Sequence, residues 1–179
     1  MEYRRAWQKG GCYFFTVVTY ERRHILTIPE NIDRLRTAFD HIRRKRPFGI
    51  DGIVVLPDHI HCIWRLPEED DDFPTRWRLI KHFFSRSCKG FEGASNGRSR
   101  QSRDEKAIWQ RRYWEHLVRD EDDWRRHMDY IHYNPVKHGL VDAPAKWPHS
   151  SFRRCVEKEW YSHDWGSMEP EIIKGMELE

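Results

Sequence analysis

The sequence has no long apolar run and no pair of closely spaced cysteines. No segment approaches the roughly 18 apolar residues that cross a membrane as a helix, and the first eleven residues have no apolar centre of the kind that secretion signals contain. The four cysteines are scattered, without a CxxC motif, which argues against a disulfide framework and a structural zinc site. We therefore expect a cytoplasmic protein with reduced thiols that does not contact a membrane.

An excess of one charge is present only locally. The formal net charge is +3 over 179 residues, but the first fifty residues carry eleven Lys/Arg against five Asp/Glu, and residues 151–179 carry four against seven. Basic clusters are typical of nucleic-acid-binding surfaces, although many are simply solvated. The length, with 14% aromatic residues, is sufficient for one folded domain with its own core.

The spacing of apolar residues predicts an alternation of strands and helices. The predicted elements are a strand over 12–20, a helix over 29–45, strands over 48–56 and 59–66, a helix capped by Thr75, a strand over 113–118, and a helix from the Asp120 cap to about Asn134. This order predicts an α+β fold, the ferredoxin-like or RRM-like split βαβ antiparallel sheet, with an additional C-terminal helix. Residues 90–106 are polar and rich in Gly and Ser, which predicts a flexible loop.

A His-x-His pair begins the third predicted strand. Because side chains alternate along a strand, His59 and His61 should share one face, while Ile60 and Cys62 should face a core on the other side. Two neighbouring imidazoles suit a divalent metal as neutral nitrogen donors. The alternative is a pair of half-exposed histidines without a ligand.

The last predicted helix has a second group of polar side chains on one face. Tyr130 and Asn134 are four residues apart, and His127 lies one turn before Tyr130. Packing of the helix through its apolar stripe, which includes Met128 and Ile131, would bring the phenol toward the two imidazoles. Periodicity alone also allows Tyr130 to be an ordinary aromatic residue at the edge of the core.

Several segments together resemble a known family. They are LPDHIHCIW (56–64), YWEH (113–116), MDYIHYNPVKHGLV (128–141), WPHSSF (147–152), YRRAWQKGGCYFFTVVT (3–19) and FPTRWRLIK (73–81). In this order they resemble the single-tyrosine HUH transposases, and most closely the REP-associated tyrosine transposases, from Tyr3 to about Gly166. The segment 90–106 looks longer than is expected for that family.

The resemblance implies a metal-dependent enzyme that cuts and transfers single-stranded DNA at palindromic, REP-like hairpins through a 5′-phosphotyrosine intermediate. It places the nucleophile on Tyr130 and the HUH histidines on His59 and His61, with Mg²⁺ or Mn²⁺ held by these histidines and Asn134. His116 remains an alternative third ligand, whereas His132, two residues after the tyrosine, should point away. Such a protein acts in DNA recombination and transposition, associated with the bacterial nucleoid.

Basic and aromatic side chains outside this site are candidate DNA contacts. They are Arg4, Arg5, Trp7, Lys9, Arg76, Arg78, Lys81, Arg111 and Arg112. We expect the catalytic domain to span residues 1–155 and an acidic, weakly structured tail to span 156–179. The tail could compete with DNA for a basic groove, or could be a plain solvated terminus. The resemblance favours a monomer and leaves a dimer open.

Two other function classes fit parts of the sequence. A non-catalytic module for single-stranded nucleic acid could use the same sheet, but it would need exposed aromatic residues on the central strands. A metal hydrolase would need a general base beside the metal, and no acidic residue forms a short motif of that kind with His59 and His61. Only the tyrosine mechanism leaves a covalent protein–DNA adduct.

Overall fold

The computed structural model describes residues 7–88 and 108–178. The strands are β1 (Cys12–Val18), β2 (Gly49–Val55), β3 (His59–Arg65) and β4 (Trp114–Leu117), and the helices are α1 (Pro29–Lys45), α2 (Phe73–Ser87), α3 (Glu121–Lys137) and α4 (Phe152–Glu157). The four strands form one antiparallel sheet in the order β2-β3-β1-β4. The predicted fold class is confirmed, whereas the predicted loop over 90–106 lies outside the described residues.

One face of the sheet is covered by α1 and α2. Alternate side chains of the central strands point into this larger core, among them Phe15, Ile60, Cys62 and Trp64, where they meet Trp77 of α2. Burial of large aromatic side chains is the main source of stability here, at roughly 25 cal/mol per Å² of apolar surface. The predicted inward direction of Ile60 and Cys62 is confirmed.

The opposite face is covered by α3. Met128 and Ile131 of this helix are buried in a second core together with Phe14 and Val54 of the sheet. Gly52 of β2 allows the helix to come close, because a Cβ atom there would lie 2.5 Å from the Met128 sulfur. The predicted apolar stripe of α3 therefore packs on the sheet, and it holds the polar side of the helix near β3.

Two helix ends differ from the prediction. The α2 helix begins at Phe73, because the carboxylate of Asp72, not the hydroxyl of Thr75, caps it by accepting the Thr75 backbone N–H at 3.1 Å. The α3 helix continues past Pro135 to Lys137, since the His138 N–H still donates to the Asn134 carbonyl at 3.0 Å. Proline lacks the N–H of other residues, so the helix loses one hydrogen bond at Pro135 and still continues for two residues.

The chain after residue 155 contributes to the second core, which differs from the expected weakly structured tail. Tyr161 and Ile173 are buried there, and the Tyr161 hydroxyl donates to the Asp129 carboxylate at 2.7 Å. Apolar residues scattered among the acidic ones explain this packing. No helix in the described ranges is long and apolar enough to cross a membrane.

Candidate active site

The two histidines of the His-x-His motif are buried side by side under α3. His59 is 1% exposed and His61 is 0% exposed, and their ring centroids are 4.7 Å apart. His61 lies opposite Thr16 of the neighbouring central strand β1. The motif therefore lies in the middle of the sheet, on the face that the third helix covers.

Both imidazoles are held through the same ring nitrogen. The Nδ1 atom of His59 is 2.6 Å from the Asp58 carboxylate, and that of His61 is 2.9 Å from the Thr16 hydroxyl. Thr16 donates its own proton to the Leu178 carbonyl at 2.6 Å, so His61 Nδ1–H must be the donor in the pair. Each ring thus keeps the lone pair of Nε2 for another ligand.

Asp58 is the anchor of the first imidazole. The Arg22 guanidinium donates to its second oxygen at 3.1 Å. Burial by itself would raise the pKa of Asp58, but the hydrogen bonds and charges of His59 and Arg22 outweigh burial and lower the pKa to about 2. This carboxylate is therefore ionised at neutral pH and fixes the orientation of the ring.

The Nε2 atoms of both rings are buried and have no hydrogen-bond partner. Such atoms are rare in folded proteins and indicate a missing partner, often an ion. Burial, and then electrostatic interaction with His59 and His138 nearby, lower the pKa of His61 well below its usual value. This imidazole is therefore neutral at physiological pH, which is the form that binds a metal.

Asn134 offers the third predicted ligand from α3. It is 1% exposed, and neither its side-chain oxygen nor its nitrogen has a partner. Asn134 lies one turn after Tyr130 and one turn before His138. The Tyr130 ring is 5.2 Å from that of His61, and the His138 ring is 5.4 Å from that of His59. Two imidazoles and an amide oxygen, with water completing the coordination, fit Mg²⁺ or Mn²⁺.

The alternative third ligand, His116, belongs to a different cluster. It lies opposite Phe14 on β1, one pair away from the Thr16–His61 pair, and its Nε2 atom is 2.8 Å from the Asp123 carboxylate. His116, Asp123 and His127 could themselves hold a cation, since their ligand atoms lie within 4.8 Å of one another. The hydrogen bonds among these side chains satisfy them without one, so Asn134 is the better ligand candidate beside the HUH pair.

His132 is turned away from this site, as its position two residues after the tyrosine predicts. Its Nε2 atom is 2.9 Å from the Ser151 hydroxyl, on the side of the second core near α4. Burial, and then the nearby Arg154, lower its pKa to about 3. It is therefore a neutral, structural histidine of the interior.

Tyr130 lies beside the histidines with a lysine at its hydroxyl. The phenol is 1% exposed, and its oxygen is 3.4 Å from Lys137 Nζ, which also lies 4.9 Å above the ring. An ammonium group at this distance favours negative charge on the phenolic oxygen. Sequence reasoning missed Lys137, although its position seven residues after Tyr130, two helical turns away, was a usable signal.

The end of the described chain passes over the phenol. The Leu178 N–H donates to the Tyr130 hydroxyl at 3.3 Å, and the Met176 carbonyl accepts from Lys137 at 3.0 Å. With the bond from Thr16 to Leu178, these contacts place main chain between the Tyr130 phenol and the surface. These contacts are made by backbone atoms, whereas the sequence analysis considered the acidic side chains of the tail.

The structure contradicts one of the predicted DNA contacts. Arg76 is only 1% exposed, and its guanidinium donates to the Asp70 carboxylate at 2.6 Å and to the backbone carbonyls of Arg46, Pro47 and Asp72. It fastens the start of α2 to the turn before β2. All its donors are directed inward, so none is available to a phosphate.

The other predicted contacts are placed differently. Trp7 is 53% exposed and stacks on Phe73 at 5.3 Å, and Lys9 pairs with Glu69 at 3.1 Å. Lys81 donates to the Gln110 carbonyl at 2.8 Å, and burial lowers its pKa to about 8. The side chains of Arg78, Arg111 and Arg112 are exposed, while Arg4 and Arg5 lie outside the described residues.

Comparison with known proteins identifies the family of the chain. No protein-family model matches the chain. A REP-associated tyrosine transposase of Escherichia coli K12 is 47% identical over 164 residues, covering 92% of this chain and 90% of the relative. A Haemophilus influenzae protein with a closely similar description is 44% identical over 178 residues, covering 97% of each.

A solved structure gives the same result. The structure of a REP-associated tyrosine transposase bound to a REP hairpin superposes with a TM-score of 0.78 at 44% identity, covering 96% of this chain and 94% of that one. Identity at this level over nearly the whole length shows family membership as well as fold. The chain belongs to the REP-associated tyrosine transposases.

Proposed function

We propose that this chain cleaves and rejoins single-stranded DNA at REP-like hairpins, with Tyr130 as the nucleophile. The observation that carries the proposal is the buried phenol, whose ring lies 5.2 Å from that of His61 in the same chain. Nucleophile and paired imidazoles thus belong to one subunit, which supports activity as a monomer. The hairpin substrate is suggested by the relative that was solved with one bound.

The reaction exchanges one phosphoester for another. The Tyr130 oxygen attacks the scissile phosphorus and loses its proton to solvent, and the 3′ oxygen of the upstream strand leaves and becomes a free hydroxyl. The new bond is a 5′-phosphotyrosine ester. Because the aryl oxide is a good leaving group, an incoming 3′-hydroxyl can reverse the step without ATP. Lys137 Nζ lies 3.4 Å from the phenolic oxygen, where it can donate a hydrogen bond to that oxygen.

His59, His61 and Asn134 would hold Mg²⁺ or Mn²⁺. Such an ion would supply positive charge to offset the negative charge that develops on the phosphate. Asp58 and Thr16 hold the Nδ1 atoms of the two imidazoles, which leaves both Nε2 atoms as the nitrogens that would bind the ion.

The two rival function classes fit the structure less well. A sheet that binds RNA on its face would need that face open, but α3 covers it and buries Phe14 and His61. A hydrolase would need a base next to the Nε2 side of the imidazoles. The carboxylate that binds His59, that of Asp58, lies on the Nδ1 side of the ring and already accepts from Arg22.

The test is a covalent adduct on a denaturing gel. Wild-type protein with a labelled REP-like hairpin and Mn²⁺ should give a protein–DNA band that protease removes. Tyr130→Phe should give no band while still binding the hairpin. Tyr133→Phe is the matched control, since it removes a partly exposed phenol three residues later on the same helix. An adduct formed at the normal rate by Tyr130→Phe would refute the assignment.

Phosphate contacts by the exposed arginines are tested by salt. Arg78 and Arg112 have exposed side chains on α2 and just before β4. Neutralising them together should weaken hairpin binding and reduce the slope of log K against log salt by about 0.7–0.9 for each phosphate that the protein no longer neutralises. An unchanged slope would remove these two residues from the DNA interface.

A further inference from the structure

An exposed tryptophan lies on the edge strand in line with the HUH pair. Trp114 of β4 is opposite Thr16 of β1, which in turn is opposite His61 of β3. Residues in such a row point to the same face of a sheet, here the face that α3 covers. Two strand spacings, about 10 Å, separate the backbones of Trp114 and His61. The indole is 37% exposed.

The indole is held in a fixed orientation. Its plane is parallel to that of His116 within 7° at 5.9 Å, and it meets the edge of Phe14 at 5.7 Å. His116 is itself bound to the Asp123 carboxylate and stacked on His127 at 4.7 Å. The polar cluster beside the active site therefore supports an aromatic platform, and a platform with fixed orientation loses little entropy when a ligand stacks on it.

We infer that Trp114 stacks on an unpaired DNA base next to the scissile phosphate. The inference rests on the proposed function, because it takes the strand that reaches Tyr130 as the occupant. A flat indole beside an anion-cleaving site fits a nucleobase, since proteins that bind single strands stack bases on aromatic side chains. Arg112, two residues earlier and exposed, offers a charge for the adjoining phosphates. Trp114 is thus a positioning and binding residue outside the catalytic set.

Binding to two hairpins tests the inference. One hairpin carries a single-stranded flank and the other is blunt, and both are titrated with full-length protein in chelator by fluorescence anisotropy. Trp114→Ala should weaken binding of the flanked hairpin at least fivefold, the lower end of the effect of losing one stacked base. Binding of the blunt hairpin should change less than twofold, and Trp114→Phe should restore most of the affinity.

Trp160→Ala is the matched control. Trp160 is also 37% exposed, but its ring lies against Trp124 on another part of the surface. Its loss should leave both affinities unchanged. If Trp114→Ala does not fold, as judged by circular dichroism, Trp114→Leu keeps an apolar side chain without an aromatic face and gives the same comparison.

The outcomes separate this inference from the proposed function. Equal affinities of wild type and Trp114→Ala for the flanked hairpin, an equal loss for both hairpins, or the same loss in Trp160→Ala would each overturn the inference. The covalent adduct that depends on Tyr130 would be unaffected by those results. A wild-type protein that forms no adduct would instead refute the proposed function.

Discussion

Removing the end of the chain should accelerate cleavage. Residues 176–178 make three backbone hydrogen bonds over the active site, to the Tyr130 hydroxyl, from the Thr16 hydroxyl and from Lys137. The two neutral bonds contribute about 0.5–1.5 kcal/mol each and the charged one about 1.5–3 kcal/mol. Ordering three residues costs about 1–2 kcal/mol each, so these terms nearly cancel.

Apolar contact decides the balance. Met176 and Leu178 pack partly buried against the second core, and half-burial of two such side chains contributes about 1.5–3 kcal/mol. The covered state should then be favoured by about 1.5–3 kcal/mol, which corresponds to a fraction of open enzyme lower by about 10- to 150-fold. Deleting residues 175–179, and so keeping the buried Ile173, should raise the single-turnover cleavage rate by that factor.

The assay is adduct formation over time at saturating hairpin and Mn²⁺. Glu177→Gln is the informative control, because it removes a negative charge of the tail and keeps the backbone contacts. If backbone atoms block the phenol, the cleavage rate of Glu177→Gln should equal that of the wild type. If the acidic side chains compete with DNA instead, the substitution should weaken that competition and raise the rate. A deletion variant with an unchanged melting temperature and a rate within twofold of the wild type would refute the reasoning.

Three further perturbations follow from the site and the interior. His59→Ala and His61→Ala should each slow Mn²⁺-dependent cleavage by at least about 100-fold and abolish the calorimetric Mn²⁺ binding signal; full activity of both in chelator would exclude the metal role. Asp58→Asn should weaken Mn²⁺ binding about 10- to 100-fold while hairpin affinity in chelator stays unchanged; equal Mn²⁺ affinity would show that Asp58 does not orient the ring. Because the pKa of His132 is lowered to about 3 from 6.5, the unfolded chain takes up a proton there at a pH where the folded chain does not. Stability should therefore fall as pH drops below about 6.5, by up to about 1.4 kcal/mol per pH unit from this group. Urea unfolding at pH 7.5 and 5.5 should show a smaller loss for His132→Leu, and an identical loss would contradict the assignment.

Local periodicity was sufficient for much of the site. Alternation along one strand placed His59 and His61 together and sent Ile60 into the opposite core, as the structure shows. A spacing of four placed Tyr130 and Asn134 on one side of α3. These relations depend only on the geometry of a strand or helix, which repeats the same way wherever the element is packed.

The charge of a side chain, in contrast, did not predict which groups the side chain contacts in the folded protein. Arg76 resembled a phosphate contact in the sequence, but it is buried against the carbonyls of Arg46 and Pro47 and the carboxylate of Asp70. The acidic character of the last residues suggested electrostatic competition, whereas backbone atoms near Met176 and Leu178 make the contacts. The Arg76 prediction failed because charge in the sequence does not show which segments meet in the fold, whereas competition by the acidic residues stays a hypothesis that the Glu177→Gln variant tests.

The amino-acid sequence by itself determined the α+β order of elements, the face that carries the paired imidazoles and the helix that carries the phenol. Tertiary structure alone decided that Asp58 and Thr16 fix the two rings, that Lys137 faces the phenolic oxygen together with the chain's end, and that Trp114 stands open in the same row. The physical reason is distance along the chain. Contacts such as that between Thr16 and Leu178 join residues far apart in sequence, and only packing of the whole domain brings them within hydrogen-bond range.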